Sequence, residues 1–144
     1  MTYELKIIAE NTDSAAAAAE DLLLYHAIAA GKPFDDEPLS LTAIHTDQPE
    51  QPLGYLEGAS MQGRFYLTRL AVSNDARGQG IGSALLSKAE QIVTKRGDAE
   101  IVLDTWNFQA EGFYAHHGYE VIGRLDDLPQ GAGKVWMRKK LPVA

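Results

Sequence analysis

The hydrophobic period of the chain changes sharply after Val72. Residues 64–72 (RFYLTRLAV) are rich in aromatic and β-branched side chains, the composition of a pleated strand. From Ile81 onward, Ile81, Leu85, Ala89, Ile92 and Val93 recur at three- and four-residue spacing, which lays them on one face of an α-helix. Lys95 and Arg96 then precede Gly97, a common helix end. Between strand and helix lies Arg77-Gly78-Gln79-Gly80-Ile81-Gly82-Ser83. A chain with this order must place a helix against a sheet, with backbone bare of side chains at the helix start.

The flanking segments fill in the architecture. Tyr3, Leu5 and Ile7 alternate within residues 3–9, which read as a half-buried strand followed by the loop Glu10-Asn11-Thr12. Ser14 is placed to cap an alanine-rich helix running through Leu22, Leu23 and Ile28 to a stop at Gly31, with Pro33 beyond. Residues 39–45 and 53–60 read as strands separated by a hairpin loop over 46–52. Met61-Gln62-Gly63 makes a short turn into 64–72, so the three strands form an antiparallel meander. Residues 100–104 read as a buried strand, 107–117 as a helix stopped by Gly118, and 119–123 and 135–139 as two further strands. The irregular stretch 125–134 borders a candidate substrate site. This order predicts a mixed α/β sheet with helices packed on it.

Composition narrows the function. With 144 residues the chain has the length of one domain, and 45% hydrophobic and 23% charged residues are those of a globular protein. No apolar run approaches the ~20 residues of a membrane span, and the first residues lack a secretion-signal pattern, so a cytoplasmic protein is expected. Zero cysteines exclude disulfides, thiolate metal sites and a cysteine nucleophile. The formal charge of −7 disfavours nucleic acid as a partner, and Arg138-Lys139-Lys140 reads as a solvated strand end. Adjacent His116 and His117 would point about 100° apart on a helix, which is no metal face. No distinct signal marks a homodimer, although such a sheet is compatible with one.

The glycine stretch carries the strongest chemical signal. N–H groups at a helix start lack intrahelical partners, and the helix dipole there favours an anion. Arg77 adds a fixed positive charge. A tight connection that needs glycine for its backbone angles is the purely structural alternative. The residues match neither a P-loop, which requires Gly-Lys-Ser/Thr, nor the dinucleotide fingerprint, since Gly78-x-Gly80-x-x-Ser83 ends on serine.

Arg77, Gly80 and Gly82 as Arg-x-x-Gly-x-Gly, followed by Leu85-Leu86, resemble the acyl-CoA loop of the GNAT superfamily of N-acetyltransferases. A second stretch is similar to the family's other signature: Asn107, Ala110, the pair Phe113-Tyr114, and Gly118 followed by Tyr119. As plain structure, Asn107 would cap a helix, Ala110 and Phe113 would be core, and Gly118 would close the helix. Residues 118–131 also look like the tail of small bacterial-type members, in which a histidine often follows the last glycine; here Ala132 stands there.

The resemblance implies a GNAT fold over residues 1–144: a mixed, mostly antiparallel sheet of six to seven strands with helices on both faces. It implies acetyl-CoA as acyl donor with no metal, and a small-molecule amine as acceptor. Leu70, Ala71 and Val72 would hold the pantetheine arm through their main chain. Arg77, Gly78, Gln79, Gly80, Ile81, Gly82 and Ser83 would hold the pyrophosphate, and Asn107 and Phe113 would border the donor. Tyr114 would protonate the departing thiolate, since a phenol of pKa about 10 keeps its proton at neutral pH. Glu57 and Asp104 are candidate bases, water another, and Asp35-Asp36-Glu37 a candidate attractor of a cationic amine. A protein amine as acceptor, a non-catalytic acyl-CoA-binding module and a regulator binding another nucleotide are the rival readings.

Overall fold

The computed structural model describes residues 5–9, 11–126 and 131–143, in two units, 1–34 and 35–144. In the first, α1 spans Asp13–Ala29. Its cap is Thr12, not Ser14: the Thr12 hydroxyl accepts from the Ala15 N–H at 3.1 Å, and Ser14 falls inside the first turn. Gly31 ends it at φ +73°, with the Lys32 N–H donating to the Ala27 carbonyl at 2.8 Å, as in a Schellman motif. The strand expected over 3–9 is not found: residues 5–9 take no regular structure and the rest of it lies outside the described residues. Alternation makes a segment able to line a sheet, but a ladder also needs a partner strand.

The second unit contains β1 (Glu37–His45), β2 (Gln48–Met61), β3 (Arg64–Val72), α2 (Ile81–Arg96), β4 (Glu100–Trp106), α3 (Glu111–His116), β5 (Glu120–Leu125) and β6 (Lys134–Lys140). Among the described residues these strands form one six-stranded sheet in the order β1-β2-β3-β4-β6-β5. Every pairing is antiparallel except β3 with β4, which α2 joins as a crossover. Gln62 and Gly63, at φ 52° and 81°, make the two-residue turn between β2 and β3, the left-handed pair that suits a twisted hairpin.

The loop expected over 46–52 is instead a tight turn, with His45 already paired to Gln48. Pro49 and Pro52 misled because proline usually breaks a ladder. Here they lie in the part of β2 that precedes its pairing with β3, which starts at Gly54, so one side of the strand needs no donor.

Leu56, Phe65, Leu67, Ile101, Leu103, Val135 and Met137 line one face of the sheet and pack against Leu85, Leu86, Ala89 and Val93 of α2 and against Tyr114 and Tyr119. At the far end of α2, Arg96 donates to the carbonyls of Glu37 and Pro38, each at 2.9 Å, and to the Ser60 hydroxyl at 3.1 Å. Ser60 in turn donates to Asp98 at 2.5 Å. This network fixes the helix across β1 and β2.

The register of β2 and β3 slips by one residue: Glu57 faces Arg69, but Gly58 faces Leu67. Thr68 is therefore the extra residue of a β-bulge. Gly58 is required opposite it, because a Cβ there would lie 2.3 Å from the Tyr66 carbonyl oxygen and 2.6 Å from Cζ of Phe65. Gly58→Ala should destabilise the protein by about 1–3 kcal/mol through overpacking, read as a lower denaturant midpoint at unchanged m-value.

Candidate active site

The parallel ladder between β3 and β4 runs only from Arg64 and Glu100 to Leu67 and Leu103. Past the bulge, β3 keeps β2 as its only partner, while Asp104, Thr105 and Trp106 pair with β6 alone. The two strands part, and a cleft of about 900 Å³ opens between them. Thr68 through Val72 form one wall, and Asp104 through Trp106 with Phe108 form the other. Arg77, Gly82, Phe113 and Tyr114 close its end near α2.

The glycine stretch lies at the start of α2. Gly80 caps the helix in the left-handed region at φ 76°, and Gly78 has φ 79°; a side chain's Cβ at either position would meet nothing within 4 Å. Among the described residues, no protein acceptor takes a main-chain N–H of residues 78–83. Ring atoms of Phe113 lie 3.4 and 3.6 Å from where a Cβ of Gly82 would stand, so the two sequence motifs meet there. Ser83 Oγ and His117 Nε2, 2.9 Å apart, join them again.

The helix expected over 107–117 is shorter, Glu111–His116, and Asn107 does not cap it. The Asn107 N–H donates to the Gly133 carbonyl at 2.8 Å and its side-chain amide to the Gly131 carbonyl at 3.3 Å. These bonds commit Asn107 to the chain entering β6, and residues 107–110 turn before a helix can start. Glu111 pairs with Arg124 of β5 at 2.7 Å; that guanidinium holds the Glu111 carboxyl below its usual range.

Of the residues anticipated from sequence, Leu70, Ala71, Val72, Arg77, Gly82, Phe113 and Tyr114 line the cleft. Gly78, Gln79, Gly80, Ile81 and Ser83 lie beside it in the loop and first turn of α2, and Asn107 is turned away. Tyr114 is buried, 5% exposed, and among the described residues its hydroxyl has no hydrogen-bond partner. Its ring stands 5.3 Å from Phe113 and 5.6 Å from Tyr119. The two candidate bases are both in ion pairs, Glu57 with Arg69 and Asp104 with Lys134. Sequence reasoning missed Arg69, Trp106, Phe108 and Lys134 as cleft residues; no local motif marks them, since the divergence of the strands brings them there.

The Acetyltransferase (GNAT) family matches residues 7–119. The chain belongs to the GNAT family. It is 31% identical over 140 residues to Acetyltransferase Atu2258 of Agrobacterium fabrum, a match spanning 97% of this chain and 99% of the relative. The crystal structure of an acetyltransferase from Bacillus cereus has a TM-score of 0.82 at 26% identity, covering 94% of this chain and 98% of that one. Blasticidin-S acetyltransferase of Streptomyces morookaense is 37% identical over 78 residues, 54% of this chain and 57% of the relative. As a GNAT protein the chain is an acyltransferase with acetyl-CoA as acyl donor, and acetyl transfer to an amine is typical of the family.

Burial raises the Tyr114 phenol from 10.0 to about 12. Burial raises Tyr119 as well, helped by the negative charge of Glu90, whose carboxylate accepts from the Tyr119 hydroxyl at 3.1 Å. An unfolded tyrosine loses its proton near pH 10, before the folded one does. The stability that Tyr114 contributes is therefore complete below pH 10 and lost as pH rises towards 12. Denaturant unfolding between pH 8 and 12 should show a steep alkaline decline, and Tyr114→Phe should make it shallower.

Proposed function

We propose that this GNAT protein acetylates a primary amine of a small molecule by direct attack of the amine on the thioester of acetyl-CoA, with Tyr114 as general acid. The observation that carries the reading is the placement of Tyr114: its ring is buried in the core, the residue lines the cleft where β3 and β4 part, and its hydroxyl has no protein hydrogen bond among the described residues. Bound acetyl-CoA supplies the acetyl group as a thioester. The chain's own residues bind and orient it and deliver a proton to the leaving sulfur.

The main chain of residues 70–72 has lost β4 as a neighbour and offers hydrogen-bonding groups to the pantetheine amides. The unpaired N–H groups of residues 78–83 and the Arg77 guanidinium suit a pyrophosphate. Phe113 packed on Gly82 forms an apolar border between these two regions. Raised to about 12, the Tyr114 phenol keeps its proton throughout the physiological range, as an acid for a departing thiolate must. Asn107, bonded to Gly131 and Gly133, acts in this reading by holding the wall of the cleft in place.

In this reading the cleft of about 900 Å³ holds the acyl end of the donor together with the acceptor, which suits a small amine. The likeness to Blasticidin-S acetyltransferase points the same way. Titration with acetyl-CoA, with CoA, NAD and ATP as comparators, tests the donor site: saturable binding is expected for acetyl-CoA and CoA, and Arg77→Ala/Gly80→Ala should abolish it. A preference for NAD or ATP would refute the reading.

Tyr114→Phe should retain acetyl-CoA binding and lose ~10²–10⁴ in kcat, measured by thiol release with a panel of amines and a lysine-bearing peptide. A full-rate variant would remove Tyr114 from the chemistry. A rate confined to the peptide would make the acceptor a protein amine.

A further inference from the structure

Asp104 and Trp106 project from the face of β4 opposite the core, since their neighbours Leu103 and Thr105 are buried on the other side. Lys134, the cross-strand partner of Trp106 on β6, reaches over the same face. Its ammonium lies 3.0 Å from Oδ1 of Asp104 and 4.3 Å from the centroid of the Trp106 ring. Phe108 stacks beside Trp106 at 6.1 Å with an interplanar angle of 16°. All four residues line the cleft, away from the glycine loop and Phe113.

A lysine side chain is itself a primary alkylammonium on four methylenes. Its place against a carboxylate and an indole face shows what this corner of the cleft accommodates: a compact cation with an apolar stem. The ion pair is half-exposed, with Asp104 at 49% and Lys134 at 29% side-chain exposure. Such pairs are weak, and the lysine stem is flexible, so a competing cation can displace it. The other cleft cation on this face, Arg69, is engaged by Glu57.

The geometry points to Asp104 and Trp106 as a subsite for a second, non-reacting ammonium of the acceptor, filled in the free protein by Lys134. This inference rests on the reading of the protein as a small-amine acetyltransferase and names the acceptor class, a diamine or polyamine. The amine that attacks a thioester must be neutral, whereas a cation held by a carboxylate and an indole stays charged, so the two roles fall to different nitrogens of one molecule. The net charge of −7 would also draw a polycation to the protein.

The test compares n-butylamine, 1,4-diaminobutane and spermidine as acceptors. The two polyamines should exceed n-butylamine at least tenfold in kcat/KM, and Asp104→Asn should erase that advantage by raising KM while leaving acetyl-CoA affinity unchanged. Lys134→Met, which keeps the stem and removes the competing charge, should lower KM for spermidine several-fold. Equal use of n-butylamine, or an advantage that survives Asp104→Asn, would overturn the subsite and leave the acetyltransferase reading intact. Calorimetry of spermidine with CoA-loaded Lys134→Met, against the same protein also carrying Asp104→Asn, reads the subsite without turnover. Binding lost on adding Asp104→Asn supports it, and no binding, or equal binding by both, overturns it, even should no amine prove to be acetylated.

Discussion

The parting of β3 and β4 is the constraint on which the rest of the second unit depends. A parallel ladder would ordinarily run the length of both strands, leaving no main-chain group free and no space between them. Here the extra residue Thr68 ends the pairing at Leu67 and Leu103. The bulge is tolerated because Gly58 lets the Tyr66 carbonyl and the Phe65 ring approach closer than any Cβ would allow. One residue without a side chain thereby permits a cleft in the middle of a sheet whose core face is otherwise fully packed.

Opening a sheet is costly unless its halves are held from outside, and α2 supplies that hold. Leu85, Leu86, Ala89 and Val93 belong to the core beneath the sheet, with α2 lying chiefly against β1, β2 and β3. Arg96 fastens its C-terminus to β1 and β2, while Glu90 receives Lys139 of β6 at 2.8 Å. The same helix therefore braces both halves and presents its bare N-terminus to the cleft. The bonded network of Arg96 and the bare backbone around Gly80 thus sit at opposite ends of one element, and in the proposed reading a change at Arg96 would act on stability while one at Gly80 would act on the donor.

Much of this was legible in the sequence where the signal is local. Strand β3 and helix α2 appear with the bounds that their periodicity predicts, and Gly97 and the Gln62-Gly63 turn act as their chemistry requires. The GNAT assignment followed from Arg77, Gly80, Gly82 and the Asn107–Tyr119 pattern. What was illegible depends on partners distant in sequence. Alternation in residues 3–9 could not supply a neighbouring strand, and Pro49 and Pro52 could not reveal that one side of β2 there needs no ladder. Asn107 looked like a cap because its type fits one, yet its amide groups are taken by Gly131 and Gly133, 24 or more positions away.

The second signature shows why a motif identifies a family more readily than it assigns roles. Phe113 packs on Gly82, His117 meets Ser83, and Tyr119 meets Glu90: each of these contacts ties the α3 region to α2. Tyr114 shares that packing through its ring and also lines the cleft. The ring contacts account for Tyr114 as a core residue, while its hydroxyl, with no protein hydrogen bond among the described residues, is the part of the side chain that packing does not use and that the proposed chemistry would.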